Sequence, residues 1–320
     1  MQEICIYLNS KASGAGGDFW EKEITKRLFR SQLTFRRPET YDELNRFLSE
    51  DVERSVDSIV SVGGDGTVNT LIQKLAGKHI GLLVVPGGTA NDLAFELGSL
   101  SKLDKVFSWI RSRESKYIDL ISVNGKLMAT NGGIGLGGNV AQKINELRLK
   151  VPLFKSLMNV TGKKIYSFFA ATELMDPGLR YYKLRLSCDE YEGVVRCPGL
   201  LINNQATLGG SFKVAPFTTN NDGKFNVTVF TQKNRGSLIQ SLWVMGQGGD
   251  ITNIPGVLTF ETDHLNVELI EGDDANFFGD GEILSHAKEW EIKCLPNSLL
   301  VYSRNEDFNP LDITNEVTLS

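Results

Sequence analysis

Long apolar runs are missing from this 320-residue sequence, and no stretch approaches the roughly 18 consecutive apolar residues that a membrane-spanning helix requires. Histidine is scarce: His79, His264 and His286 show no metal-ligand spacing with one another or with a cysteine. The cysteines Cys5, Cys188, Cys197 and Cys294 form no C-x-x-C pair. Buried reduced thiols are therefore expected, and neither a zinc site nor a Cys/His nucleophile is. An excess of positive charge is also lacking. Lys and Arg number 34 against 39 Asp and Glu, a net charge of −5, which gives no global attraction to nucleic acid. The opening MQEICIYLNSK carries Glu3 where a secretion signal is basic, so a cytoplasmic protein is expected.

What is present is the composition of an ordinary globular protein, 41% hydrophobic and 23% charged, long enough for two domains with a core each. Up to about residue 122, apolar strand candidates (EICIYL, LTF, DSIVSV, IGLLVV) alternate with helical segments at Asp18–Arg30, Tyr41–Leu48, Val68–Ala76, Asn91–Leu97 and Leu103–Ile110. Continuous apolar strands between amphipathic helices predict a doubly wound α/β domain with a parallel sheet over residues 1–122, completed by the tail 304–320. Beyond it the period becomes two, in KLRLS, KFNVTVF and HLNVELI, with turn signals DPG, NNDG and EGDD between such runs. Residues 123–303 therefore read as a mainly antiparallel β-sandwich with a helical insertion near 142–174.

Two corners carry the chemistry. SVGGDGTVNTLIQKLAG (61–77) follows one strand candidate and PGGTANDLA (86–94) follows another. In a parallel α/β sheet, ligands bind at the carboxyl ends of strands, and glycines let backbone N–H groups approach an anion. One such corner reads equally well as a tight turn without a ligand. Two of them, each with a carboxylate (Asp65, Asp92), point to phosphate held through a divalent cation, since a bare carboxylate repels phosphate.

GGDGT followed by PGGTANDLA resembles the catalytic domain of the diacylglycerol kinase and sphingosine kinase superfamily, and the whole chain resembles the bacterial YegS/DgkB-type lipid kinases. YIDLISVNGKLMATNGGIGLGGNVAQK, LLINNQATLGGSFKVAPFTTNNDGKFNVTVF and FFGDGEI extend the likeness over nearly the full length. The resemblance implies ATP as co-substrate and Mg²⁺ held by Asp65 through water, with Asp92 and Asp119 in the same network. It places Gly63, Gly64, Gly66 and Thr67 along the nucleotide and Gly88, Thr89 and Asn91 at its phosphates. It makes Glu282 the general base on the acceptor hydroxyl, with Asp280 beside it and Asp65 competing for that role. A structural Mg²⁺ on Asp222 with the carbonyls of Thr219 and Lys224 is implied as well; D-G dipeptides in NNDGK and GDGE are equally ordinary turn formers.

The sequence departs from the family at NSKASGAGG, where Ser10 stands in place of proline, leaving Asn9, Ser13 and Gly14 as weaker nucleotide contacts. GGIGLGG (132–138) lacks the βαβ setting of a dinucleotide fingerprint and reads as close backbone packing. The activity implied is ATP- and Mg-dependent phosphorylation of a lipid hydroxyl, of diacylglycerol or a related lipid. An NAD-kinase-like phosphotransferase and a nucleotide- or lipid-binding protein without turnover are the alternatives. A lipid substrate implies peripheral contact with the inner membrane face, for which Lys143, Arg148, Lys150, Lys155, Lys163 and Lys164 among apolar residues are one candidate; a helix covering the sandwich is the other. A homodimer is compatible with the resemblance.

Overall fold

Unbroken apolar runs become parallel strands: β1 (Glu3–Leu8), β2 (Gln32–Arg36), β3 (Ser58–Gly63) and β4 (Gly81–Pro86), in the order β2-β1-β3-β4. The computed structural model describes residues 1–9, 17–87, 91–136, 178–208, 212–246 and 249–304. Two compact units form, Met1–Ile118 with Ser298–Ser320, and Asp119–Asn297. The segments 142–174 and 305–320 and the residues Ser13, Gly14, Gly88 and Thr89 lie outside the described residues.

In the first unit, helices cover both faces of the sheet, which is why β3 and β4 tolerate no polar alternation. On one face, α1 (Gly17–Arg27) brings Trp20 and Ile24 against Ile4, Ile6, Val60, Val62, Leu83 and Val85. α5 (Leu103–Ser112) adds Phe107 and Ile110 to the same core, and the short α4 (Asp92–Glu96) precedes it. On the other face, α2 (Tyr41–Glu53) starts at Thr40, whose side chain accepts the Glu43 N–H, and packs beside α3 (Asp65–Leu75). There the fully buried Asp51 accepts hydrogen bonds from Tyr7 Oη at 2.6 Å and Arg36 Nη2 at 2.6 Å. That pairing makes a buried carboxylate tolerable. Burial, with Asp51 nearby, pushes the Cys5 thiol up to about 12, so it is an inert core group.

The second unit starts within β5 (Ser115–Val123) and gives up β18 (Glu289–Tyr302) to the first at Ser298. The strand β6 (Lys126–Met128) forms a hairpin with β5. One sheet of this unit runs β14-β13-β10-β7-β16-β17. It uses β7 (Asn131–Gly135), β10 (Gly199–Asn203), β13 (Phe225–Phe230), β14 (Val257–Thr262), β16 (Ala275–Gly279) and β17 (Glu282–Ala287). The facing layer pairs β18 with β15 (His264–Leu269), β8 (Tyr182–Ser187) and β9 (Glu192–Cys197), all antiparallel. Their inward residues, among them Ile134, Leu184, Ile202, Val227, Val267, Phe277 and Trp290, form one core. This is the antiparallel sandwich that the period-two runs predict.

A second apolar cluster lies on the outer face of the β7-containing sheet, where α6 (Arg235–Gly246) sets Leu238 and Met245 against Leu201, Val214 and Phe230. The small hairpin of β11 (Thr207–Leu208) and β12 (Phe212–Lys213) packs beside this helix. The period-two reading of this half did not anticipate α6, whose apolar residues surround the helix instead of marking one stripe. No helix among the described residues is long and apolar enough to cross a membrane.

Candidate active site

Strand register puts three strand ends at one edge of the first unit's sheet. Leu8 pairs with Val62, and Gly63 with Pro86, so Asn9, Gly64 and Gly87 all leave the sheet on the same side. Here α3 starts at Asp65 directly from Gly64, an extended N-cap without a side-chain hydrogen bond. The first turn of α3 thus presents the partial positive end of a helix to this edge. Asn9 secures the corner, donating from Nδ2 to Thr67 Oγ1 at 2.8 Å and from its backbone N to Val62 O at 3.0 Å.

The corners touch backbone to backbone. Gly87 N donates to Gly63 O at 2.9 Å, and a Cβ on Gly87 would come within 3.0 Å of Gly63 N. Asp65 completes the junction: its Oδ2 accepts the Asn91 N–H at 3.0 Å and its Oδ1 the Asp92 N–H at 3.1 Å. The sequence raised Asp65 as a metal holder or a base, but not as the clasp for the second corner. Asn91 takes a left-handed conformation, φ 54°, which asparagine tolerates better than most residues. Thus Asn9, Gly63, Gly64, Asp65, Gly66, Thr67, Asn91 and Asp92 all belong to one small region of the first unit. Burial pushes the nearby Glu96 carboxyl above its ordinary range, with Lys116 opposing; no motif singled this residue out.

A carboxylate has about four lone-pair positions, and the two N–H contacts take one on each Asp65 oxygen. Among the described residues no three His, Cys, Asp or Glu side chains gather as a metal cluster. Mg²⁺ is commonly held by one or two carboxylates together with substrate phosphates and water, and Asp65 and Asp92 are the carboxylates at the start of the helices that follow the two corners.

Asp119, Asp222, Asp280 and Glu282 belong to the second unit. Asp119 is fully buried, and its Oδ1 and Oδ2 accept the N–H groups of Asn297 and Gly223, both at 2.7 Å. Asp222 closes its own loop by accepting from Thr219 Oγ1 and Lys224 N, each at 3.0 Å. Those bonds hold the Thr219–Lys224 turn.

Asp280 and Gly281, with φ of 52° and 81°, make the two-residue turn between β16 and β17, flanked by the pair Gly279 and Glu282. The Asp280 carboxylate accepts from Ala129 N at 3.0 Å, Thr130 N at 2.9 Å and Thr130 Oγ1 at 2.6 Å. These charge-assisted bonds fix the turn and hence the start of β17. Glu282 heads that strand as an exposed residue. GDGE is therefore a hairpin turn, and its aspartate serves to anchor it.

The chain combines an α/β unit, in which Asp65 joins two glycine corners, with a β-sandwich that carries a D-G-E turn. The diacylglycerol kinase catalytic domain model matches residues 3–123. The model of the YegS C-terminal NAD kinase beta sandwich-like domain matches residues 134–303. The chain belongs to this family of diacylglycerol kinase-like lipid kinases, which are phosphotransferases, and membership implies use of ATP.

Among similar proteins is a diacylglycerol kinase of Bacillus subtilis, 27% identical over 71% of this chain and 72% of its own. Another is a diacylglycerol kinase of Mycobacterium tuberculosis, 25% identical over 81% of each chain. The crystal structure of a diacylglycerol kinase from Bacillus anthracis superposes with a TM-score of 0.71 over 95% of this chain and 97% of that one, at 16% identity. That likeness is one of fold.

Proposed function

We propose that the protein transfers the γ-phosphoryl group of ATP, with Mg²⁺, to the hydroxyl of diacylglycerol or a closely related lipid. The observation that carries this reading is the double acceptance of Asn91 N–H and Asp92 N–H by Asp65, which joins the two glycine corners. The backbone N–H groups at the start of α3 orient the phosphates, and Asp65, with Asp92, supplies the negative charge that retains the metal. Mg²⁺, when bound, screens the charge developing on the transferring phosphoryl group. Glu282 takes the proton from the acceptor hydroxyl, and Asp280 positions it by anchoring the turn. With both oxygens of Asp65 engaged by backbone N–H groups, Asp65 is the poorer base of the two.

Incubation with γ-labelled ATP and Mg²⁺ against diacylglycerol, phosphatidylglycerol, a sphingoid base and NAD tests the reading. Label is expected in the organic phase with diacylglycerol or one of the other lipids. Label on NAD alone, or ATP bound without transfer to any acceptor, would overturn it.

A further inference from the structure

Helix α6 has apolar residues on several sides, and among the described residues one side of it packs against the sandwich. Leu238 and Met245 are 1% and 2% exposed against the outer face of the sandwich, whereas Ile239 and Trp243, one turn apart on another side, are 43% and 65% exposed. A helix that is apolar on every side is ordinarily enclosed. From Thr231 to Gly249 the chain has no acidic residue, while Lys233 and Arg235 stand at the start of the helix. Lys213, on the strand that packs beside the helix, adds a further positive charge.

We propose that the exposed edge of α6 is a docking surface for an anionic lipid bilayer, with Trp243 and Ile239 entering the headgroup boundary and Lys233 and Lys213 drawn to lipid charge. Indole is favoured at that boundary because its ring is apolar and its N–H polar, and basic residues near the surface add attraction to an anionic leaflet. A second copy of the chain is a poorer occupant: two side chains fall far short of the roughly 800 Å² per partner that a stable interface buries. The proposal rests on the lipid-kinase reading, since an enzyme acting on membrane lipid must meet the bilayer. It adds an element that no catalytic motif contains.

The chain carries its own probe. It has 4 tryptophans, and Trp20, Trp109 and Trp290 are 9%, 2% and 1% exposed, so a solvent-sensitive indole signal comes from Trp243. Vesicles of phosphatidylglycerol and phosphatidylcholine are expected to shift its emission to the blue, and brominated lipid to quench it; pure phosphatidylcholine is expected to do so far less. Trp243→Ala with Ile239→Ala is expected to weaken co-sedimentation with anionic vesicles about tenfold. Trp243→Phe keeps an apolar anchor and is expected to retain most binding while losing the signal.

Vesicle binding with unchanged, unquenched Trp243 emission would overturn the proposal. So would emission already blue-shifted without lipid, which would mean that the chain itself or a second copy covers the helix. Phosphorylation of a short-chain, water-soluble diacylglycerol needs no bilayer. Its loss in the unaltered protein would count against the kinase reading, and its preservation in the double variant is expected if α6 serves docking alone.

Discussion

Replacing Glu282 by Gln is expected to lower kcat for lipid phosphorylation by about a hundred- to ten-thousand-fold, the usual contribution of a positioned general base, with little change in KM for ATP. The substitution is nearly isosteric and leaves the Asp280–Gly281 turn and its three bonds to Ala129 and Thr130 in place. The loss would therefore report on chemistry rather than on folding. Asp65→Asn makes the contrasting case. An amide oxygen accepts only one of the two N–H groups from Asn91 and Asp92, so the corners loosen and nucleotide binding weakens along with turnover. If Glu282→Gln keeps activity within about threefold of the unaltered enzyme, the base is another group and Asp65 becomes the first candidate.

The largest expected effect on stability lies at Gly133, in the middle of β7. Its φ is 148° and a Cβ there would overlap the Leu200 carbonyl oxygen of the adjoining strand. Backbone cannot move aside without breaking the β7–β10 ladder that pairs Gly133 with Leu201. Gly133→Ala is thus expected to cost more than about 4 kcal/mol, in the exceptional tail for single substitutions, and to leave little soluble protein. Gly125→Ala separates the two causes: Gly125 has φ of 81° but nothing within 4 Å of the place a methyl group would take, so only the conformational strain of about 1 kcal/mol or slightly more applies. Urea unfolding of both variants checks this, and equal midpoints would show that close strand approach is not what Gly133 provides.

These positions show what could be read from the chain and what could not. EICIYL, DSIVSV and IGLLVV announced themselves because a strand covered on both faces needs apolar residues throughout, a purely local demand. The two corners were legible for a similar reason, since glycine-rich turns at the ends of apolar strands stand out locally. NGGIG reads locally as close backbone packing, which the surroundings of Gly132 and Gly133 bear out, but nothing in it marks a central strand. Its identity depends on partners far along the chain, Leu200 and Phe278 among them, that leave no space for a Cβ.

The same distance hid the work of the aspartates. The motif placed Asp65 at a ligand, but nothing within GGDGT shows that its oxygens clasp residues 26 and 27 positions later. Asp280 likewise finds its donors some 150 residues earlier. α6 escaped notice because a helix buried on one side and apolar on the others carries no stripe for a periodicity argument to find.

The central claim is that Asp65 and the corners it joins hold the triphosphate through magnesium. Equilibrium titration of ATP into the protein, with Mg²⁺ and then with EDTA, tests it most directly when repeated on Asp65→Asn. Mg²⁺ is expected to tighten ATP binding to the unaltered protein by at least about tenfold, a difference of about 1.4 kcal/mol, and most of that gain is expected to vanish in Asp65→Asn. ATP affinity that is the same with Mg²⁺, with EDTA and in the variant would contradict it.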